Sequence, residues 1–487
     1  LSPCDRIFLP MRVRIQLLAA FSGLALSAPT VAQDAKAQLA AAIEARQTTY
    51  ADIAHQIWTF AEVGYQERQS SALLQAELAK AGFEVKAGVA GIPTAFVASY
   101  GSGKPVIGIL AEFDALPGLS QAAVPERRPV VDLAPGHGCG HHLFGTASIA
   151  AAIAIKDWLA RSGRPGTIRL YGTPAEEGGG GKIYLVRAGL FSDVDVALDW
   201  HPGSENDAGA GTSLANKTGK FRFHGQSAHA SGAPWRGRSA LDAVEALNHM
   251  ADMLREHVPD GTRIHYVITH GGMAPNVVPD FAEAYYYVRH RDYNVVNEVW
   301  DRIVKAAEGA ALGTETRVES EVVNGVYALL PNETLARVID ANLRRVGGVK
   351  YTAEERAFAE KLGETLGTAR RKVEDAEQIK PFQISDGGAS TDVGDVRWVV
   401  PNSGLSTATW VPGTSAHSWQ AVAAGGMSIG QKGMLNAAKT LALTVYDLMT
   451  NPTIVTRARA EFEQKRGPGF TYKPLIGERS PPLDYRK

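Results

Sequence analysis

The chain has 487 residues, of which 45% are hydrophobic and 21% are charged, and its formal net charge is -1. This composition is typical of a globular protein, and the length predicts two or three domains, or one large domain that carries an insertion. A net charge so close to zero gives no electrostatic reason to expect nucleic acid or an acidic membrane surface as a partner. The composition therefore predicts a protein without a nucleic-acid partner.

The stretch MRVRIQLLAAFSGLALSAPTVAQ begins at Met11 with two arginines, continues with an apolar run and ends in small residues. That order is typical of a secretory signal peptide, with cleavage after about Ala32. A buried or membrane-spanning helix is the alternative, but the apolar run is short for a span and nothing similar follows it. We therefore expect residues 1–10 to precede the natural start, and the mature protein to be periplasmic or secreted without stable membrane association.

Four apolar, β-branched runs are each followed by carboxylates or histidines. These predicted strands cover residues 106–110, 168–172, 194–200 and 407–411, and they deliver in turn Glu112 with Asp114, Glu176 with Glu177, His201, and His417. Helical stretches such as LFGTASIAAAIAIKDWLARSG separate the strands, which predicts an α/β sheet with crossover helices. Ligands of such sheets bind outside the carboxyl ends of the strands. The repeated placement therefore predicts one site at that edge.

The stretch HGCGHHLFG, residues 137–145, places three histidines beside Cys139. Haem attachment and a dithiol redox centre are excluded because no second cysteine lies nearby. A thiolate beside imidazoles suits zinc or a similar divalent ion. A plain buried cysteine in an ordinary glycine-rich turn is the alternative. Removal of the signal peptide would leave Cys139 as the only thiol, unable to form an internal disulfide.

The run EEGGGGKI, residues 176–183, faintly resembles a phosphate-binding loop but lacks its leading glycine and the Ser/Thr after Lys182. We interpret it as a tight turn that lets the backbone pass close to a ligand. On an extended backbone the adjacent Glu176 and Glu177 would point in opposite directions, so one could bind metal while the other transfers protons. Neither a G-x-S-x-G nor an H-E-x-x-H motif is present.

Residues 213–325 form a separate pattern of strand, helix, two strands, helix and strand. This β-α-β-β-α-β order predicts a ferredoxin-like unit inserted into the metal-binding α/β domain. We therefore predict residues 1–32 as upstream residues plus signal peptide, 33–212 and 326–487 as two parts of a catalytic domain, and 213–325 as a lid and dimerisation domain. Closure of the lid over a substrate is expected.

Six motifs in order, AEFDALPG, GHGCGHH, PAEEGGGG, DWHPG, GQSAHAS and PGTSAH, resemble the co-catalytic metallopeptidase and amidohydrolase family. This family includes aminoacylases, auxin-conjugate hydrolases and hippurate hydrolases. The segments APNVVPDFAEAYYYVRHRD and STDVGDVRWVVP resemble its aminobenzoyl-glutamate hydrolase branch. The resemblance covers nearly everything after the predicted signal peptide. Two departures are AEFDALP in place of ADMDALP, and CGHHLF in place of CGHDGH.

The resemblance implies two divalent metal ions, Zn²⁺ or Mn²⁺, and a set of site residues. The implied metal ligands are Cys139, His141, Glu177, His201 and His417. Glu176 is the implied general base, and Asp114 is expected to orient a ligand. Two ions sharing a site can polarise an amide carbonyl and lower the pKa of a water toward neutrality.

Three residues of the insert are implied to meet the substrate, namely His229 in GQSAHAS, Asn276 in APNVVPD and Arg289 in YYYVRHRD. A guanidinium fits a carboxylate bidentately, which would favour N-acyl amino acids as substrates. His229 is expected to act across a dimer interface, since the family supplies this histidine from the partner subunit. For each residue the alternative is a surface salt bridge or an ordinary loop residue.

The sequence predicts a metal-dependent amidohydrolase that cleaves the amide of N-acyl or N-aroyl amino acids, aminobenzoyl-glutamate among them. A dipeptidase or carboxypeptidase of the same family is the alternative enzyme, and a substrate panel would separate the two. An auxiliary subunit of a heteromeric hydrolase is a second alternative, and a metal carrier is a third. The expected assembly is a homodimer or a heteromer with a paralogous subunit.

Overall fold

The computed structural model describes residues 28–208 and 211–486. The predicted upstream residues and most of the predicted signal peptide lie outside the described residues. The first described helix begins at Ala28 and therefore includes the last residues of the predicted signal peptide.

Helices and strands alternate along much of the chain. The α-helices are α1 (Ala28–Glu44), α2 (Gln47–Phe60), α3 (Arg68–Lys80), α4 (His141–Ser162), α5 (Gly181–Arg187), α6 (Ala240–Leu254), α7 (Tyr293–Gly313), α8 (Glu333–Val346), α9 (Ala353–Gly363), α10 (Val393–Arg397), α11 (Trp419–Gly425), α12 (Ser428–Thr450) and α13 (Pro452–Arg466). The strands are β1 (Glu84–Ala87), β2 (Phe96–Ser102), β3 (Val106–Ala111), β4 (Gly166–Gly172), β5 (Val196–Gly203), β6 (Gly211–Thr212), β7 (Ala215–His224), β8 (Arg263–His270), β9 (Phe281–His290), β10 (Arg317–Val326), β11 (Ser385–Asp386) and β12 (Asn402–Ala408).

The main sheet has the strand order β1-β2-β4-β3-β5-β12. Strands β4, β3, β5 and β12 are parallel, whereas β2 and β1 extend the sheet as antiparallel strands. The carboxyl ends of the four parallel strands therefore meet at one edge. The four predicted strands correspond to these four, with two shifts. His201 lies within β5 rather than after it, and β12 ends earlier than predicted, so a loop carries His417.

Alternate residues of β3 enter two different hydrophobic cores, as the two-residue period of a strand requires. Ile107 and Ile109 face the core formed with α1, α2, α4, α8 and α12. Val106 and Leu110 face the core formed with α5 and α10. Both faces of the parallel strands are thus covered, which explains why every residue of β3 is apolar or glycine and buried.

The insert folds as a second sheet with the antiparallel order β10-β7-β9-β8. Helices α6 and α7 pack on it through a core of its own, which includes Phe221, Tyr286 and Trp300. The element order β7-α6-β8-β9-α7-β10 is the predicted β-α-β-β-α-β unit. The predicted mixed α/β fold with a ferredoxin-like insert is therefore confirmed, while the domain boundaries at residues 32, 212 and 325 stay a prediction.

Helix α4 is the one helix in the described part of the chain that is long and apolar enough to cross a membrane. Most of its apolar window is buried inside the protein, where it packs on β3, β4 and α12. A core helix has this composition because it is surrounded by apolar neighbours on all sides.

Candidate metal centre and active site

The five predicted metal ligands come together at the carboxyl edge of the main sheet. They form two groups that share Cys139: one adds His141 and His201, the other adds Glu177 and His417. Within each group the candidate ligand atoms lie within 4.8 Å of one another. One thiol shared by two groups is an arrangement that could hold two neighbouring ions.

Asp114 fixes the orientation of His141. Its Oδ1 lies 2.9 Å from His141 Nδ1, and its Oδ2 accepts a hydrogen bond of 2.9 Å from the Glu177 backbone N–H. Both side chains of the Asp114–His141 pair are fully buried. The pair directs His141 Nε2 toward the centre of the cluster, as the predicted role of Asp114 requires.

A glycine between Cys139 and His141 lets the chain turn sharply into α4. Gly140 has a φ of +75°, and a Cβ there would lie 2.7 Å from Pro202 Cβ. A larger residue would therefore meet both a strained backbone and a steric clash. The close approach to Pro202 brings Cys139 next to His201, with 3.4 Å between Sγ and Nε2.

His201 has the protonation state that a metal ligand needs. Burial, with the charge of His141 as the next contribution, lowers its pKa to about 4, so the ring is neutral at physiological pH. Its Nδ1 lies 2.7 Å from the Pro202 carbonyl oxygen, to which it donates. The lone pair therefore lies on Nε2, which faces Cys139.

The surroundings of His141 favour a positive charge. Burial lowers its pKa, but Cys139, Glu112 and Asp114 together raise it well above the usual value. Burial also raises the pKa of the Cys139 thiol, so the thiolate needs a nearby cation. A divalent ion bound to both residues would supply that charge and displace their protons.

Three buried atoms at the cluster lack a hydrogen-bond partner: His141 Nε2, Glu112 Oε2 and Glu177 Oε1. His141 Nε2 lies 3.1 Å from Glu112 Oε2, and Glu177 Oε1 lies 3.0 Å from His417 Nε2, but neither pair has hydrogen-bond geometry. Unpartnered buried polar atoms are rare and costly. The donor set of thiol, imidazoles and carboxylates fits a borderline divalent ion such as Zn²⁺ or Mn²⁺.

Glu176 lies beside this cluster, because one of its carboxylate oxygens is within 4.8 Å of ligand atoms of Glu112 and His141. Burial raises its pKa well above the usual value, and the charges of Glu112 and Glu177 add to the shift. The predicted extended backbone at this pair is wrong. Residues 176–179 form a turn that follows Ala175, whose φ is +59°. The turn, not strand alternation, separates the two carboxylates.

Lys182 is a site residue that the sequence interpretation missed. It is fully buried, and its Nζ lies 2.7 Å from both Glu112 Oε1 and Asp392 Oδ1. The tight turn expected for residues 176–183 is present. It also brings the Lys182 ammonium group into contact with Glu112, which lies beside Glu176. The only sequence signal for Asp392 was its position within the motif STDVGDVRWVVP.

The structure places the three predicted substrate residues in two locations. Arg289 lines a cavity of about 1220 Å³ that also contains Cys139, Glu176 and His417. His229 and Asn276 lie outside that lining and next to each other, since the Ala230 N–H donates to the Asn276 carbonyl oxygen. The described chain does not bring them to its own metal cluster.

His229 is exposed, and its ring orientation is held by the local backbone. Its Nδ1 accepts hydrogen bonds from the backbone N–H groups of Ser231 and Gly232, at 3.2 and 3.0 Å. The proton of the neutral ring must therefore lie on Nε2, which can donate outward.

Comparison with known proteins gives three findings. A family model described as a peptidase dimerisation domain matches residues 215–315. Over 450 residues, 87% of this chain and 94% of the relative, the chain is 42% identical to one of the p-aminobenzoyl-glutamate hydrolase subunits of Escherichia coli (strain K12). The chain belongs to the M20 peptidase family. It is also 29% identical over 425 residues to Xaa-Arg dipeptidase from Mus musculus, covering 84% of this chain and 88% of that protein.

A solved structure has the same fold: a dinuclear metal-binding peptidase of the M20 family from Bacillus subtilis, with a TM-score of 0.57 and 17% identity. The superposition covers 84% of this chain and 99% of that structure. The predicted family and the predicted enzyme class are therefore confirmed. The protein is a hydrolase of amide bonds with the fold of a metal-dependent peptidase.

Metal content should follow the division into two groups. We expect Cys139→Ala to lose both ions because both groups contain its thiol, and His201→Ala and His417→Ala to lose one ion each. Metal analysis by mass spectrometry of purified, reconstituted protein measures this. His249→Ala, which changes an exposed histidine of neither group, provides the control. Equal metal content in all four variants would contradict the assignment.

Proposed function

We propose that the protein hydrolyses the amide bond of N-acyl or N-aroyl amino acids, with aminobenzoyl-glutamate as the nearest substrate type. The observation that carries the proposal is the pair of ligand groups sharing Cys139, with Glu176 beside them. The name of the Escherichia coli relative supports this substrate type. The cofactors in this proposal are two ions of Zn²⁺ or Mn²⁺, held by the five predicted ligands.

Glu176 is the proton-transfer group of the proposed reaction. When bound, the two divalent ions would polarise the amide carbonyl and lower the pKa of a water toward neutrality. Glu176 accepts a proton from the attacking water and delivers it to the leaving nitrogen as the amide bond breaks. Burial raises its pKa, which makes the carboxylate a stronger base.

In this proposal Arg289 binds the carboxylate of the amino-acid half of the substrate. It lines the cavity, and its Nη1 makes a hydrogen bond of 3.3 Å to Ser390 Oγ, which leaves other N–H groups free. A bidentate guanidinium–carboxylate contact would fix the orientation of the scissile amide relative to Glu176. This contact accounts for a preference for N-acyl amino acids over simple amides.

The proposed active site is completed by a second subunit. The insert matches a dimerisation domain, and its edge strand β8 exposes Val267 and Ile268 at 57% and 44%. An edge strand with exposed apolar residues is suited to pairing with another chain. His229 Nε2 would then reach the partner's cavity, with Asn276 beside it, and stabilise the oxyanion of the tetrahedral intermediate.

Two further features belong to the proposal. The second chain is another copy or a paralogue. A paralogue is supported by the name of the Escherichia coli relative, which calls that protein a subunit.

The layout of the sequence from Met11 supports export to the periplasm or beyond. A dipeptidase is the second candidate function, because the Mus musculus relative is an Xaa-Arg dipeptidase.

A substrate panel tests the proposed function. The metal-reconstituted protein, alone, is given N-benzoyl, N-acetyl and aminobenzoyl derivatives of several amino acids beside dipeptides with free amino termini. We expect hydrolysis of the acylated compounds at rates well above those of the dipeptides. Faster cleavage of dipeptides would support the dipeptidase, and no turnover without an added paralogue would support an auxiliary subunit.

Glu176→Gln should retain metal but lose about 10²–10⁴-fold in kcat, since the variant lacks the proton acceptor and keeps the ligands. The matched variant Glu177→Gln should instead lose metal, because it weakens one ligand group. Metal analysis and kcat measured on the same preparations separate the two roles. Loss of metal in Glu176→Gln with retention in Glu177→Gln would mean that the roles are reversed.

Two inactive variants, His229→Ala and Glu176→Ala, should restore activity when mixed and allowed to exchange subunits. A mixed dimer has one site with both residues intact, because His229 comes from one chain and Glu176 from the other. Activity is measured after exchange has been confirmed by native mass spectrometry. If His229 acts within its own chain, no mixed dimer contains a complete site and activity stays absent.

A further inference from the structure

The segment of residues 470–486, here called the late segment, crosses the protein to reach the metal centre. Helix α13 ends at Arg466, and the late segment follows it without regular secondary structure. The backbone is anchored along its length, since Tyr327 Oη donates to the Lys473 carbonyl and Gln66 Nε2 donates to the Leu483 carbonyl, both at 2.8 Å. The side chains of Leu475 and Ile476 are buried.

The last described residues of the late segment contact a predicted metal ligand. Tyr485 Oη and Arg486 Nη2 donate to the backbone carbonyl of Glu177, at 3.1 and 2.8 Å. Both side chains line the cavity that contains Glu176 and His417. The late segment therefore forms a wall of the active-site cavity.

The cavity is lined by six lysines and arginines, of which four have carboxylate partners. Lys220 and Arg222 pair with Glu283, Arg397 pairs with Asp199, and Arg479 pairs with Glu321. Among the described residues, no carboxylate lies within 4 Å of Arg289 or Arg486. Arg486 Nε is buried and has no hydrogen-bond partner. Two guanidinium groups in one cavity are thus left with unused donors.

Both guanidinium groups line the same cavity, and Arg289 lies against Tyr287. The Arg289 guanidinium lies 5.4 Å from the centre of the Tyr287 ring. Burial raises the pKa of Tyr287, and the charges of both Arg289 and Arg486 oppose that shift. Arg486, at the Glu177 turn, and Arg289, on β9, are therefore two cations of one cavity.

We propose that Arg486 binds a second carboxylate of the substrate, so that the enzyme selects N-acyl derivatives of acidic amino acids. This inference rests on the proposed function, in which Arg289 takes the α-carboxylate. A substrate with two carboxylates would neutralise two guanidinium groups that no residue of the described chain neutralises. A neutral side chain would leave the buried Nε donor of the half-buried Arg486 without an acceptor, and an unmade hydrogen bond of a buried donor is costly.

A matched pair of substrates tests this assignment. N-acyl-glutamate and N-acyl-glutamine have nearly the same size and differ in one charge. Arg486→Gln should lower kcat/KM for the glutamate substrate by about 10- to 100-fold, mainly through KM, as expected for loss of a charged hydrogen bond. The glutamine substrate should lose less, because it shares only the loss of the Arg486 contact with the Glu177 carbonyl. Arg486→Lys should recover part of the preference, since the charge remains.

Two further measurements separate binding from structural effects. Calorimetric binding of free L-glutamate and L-glutamine to the metal-loaded protein needs no turnover and should show the same loss of preference in Arg486→Gln. Arg164→Gln, at an exposed turn before β4, is the control for loss of an arginine and should leave both substrates unaffected. Metal content of every variant is measured alongside.

Equal losses for both substrates, or an unchanged preference, would overturn the inference and leave Arg486 as a support for the Glu177 turn only. A wild-type protein that hydrolyses no N-acyl amino acid would instead contradict the proposed function. In that case a preference for binding glutamate that depends on Arg486 would still support the second carboxylate site. Absence of that preference would contradict both.

Discussion

The site depends on the balance of charge at the carboxyl edge of the main sheet. Glu112 and Asp114 are buried there, and Glu176 and Glu177 are partly buried beside a buried thiol. Taking carboxylates out of water costs several kcal/mol per ion unless positive charge compensates. Lys182 supplies one positive charge, but it is shared with Asp392. The remaining negative charge explains why His141 favours a proton and why the cluster suits divalent ions.

The architecture brings these groups together despite their cost. The carboxyl ends of four strands meet at one edge because the strands are parallel, and their two faces are buried against helices. Three strand ends lead into loops that carry donors, whereas His201 lies within β5. Asp114 connects two of those loops, since it contacts the side chain of His141 and the backbone of Glu177. Lys182, at the start of α5 after the same β4 loop, joins Glu112 to Asp392. The hydrophobic cores thus supply the stability that a cluster of buried charges lacks.

Much of the fold and the location of the site could be predicted from the sequence, because the patterns that indicate them lie within short segments. Apolar runs followed by Glu176, His201 or His417 predicted the site edge, and the β-α-β-β-α-β pattern predicted the insert. The exact strand ends at His201 and His417, and the turn at Glu176, were not predictable, because hydrogen bonds to neighbouring strands decide them. The contact of Lys182 with Asp392 and the approach of Arg486 to Glu177 join residues far apart in sequence. Neither the periodicity nor the motif spacing of the sequence predicts such long-range contacts.

The central proposal is that this edge would hold two divalent ions, with Cys139 as a ligand common to both. Anomalous diffraction from crystals grown with Mn²⁺ tests it directly. The account predicts two peaks about 3.5–4 Å apart, as in other two-metal sites. Cys139 Sγ should contact both ions, with His141 and His201 near one, and Glu177 and His417 near the other. A single peak, or peaks away from Cys139, would contradict the account.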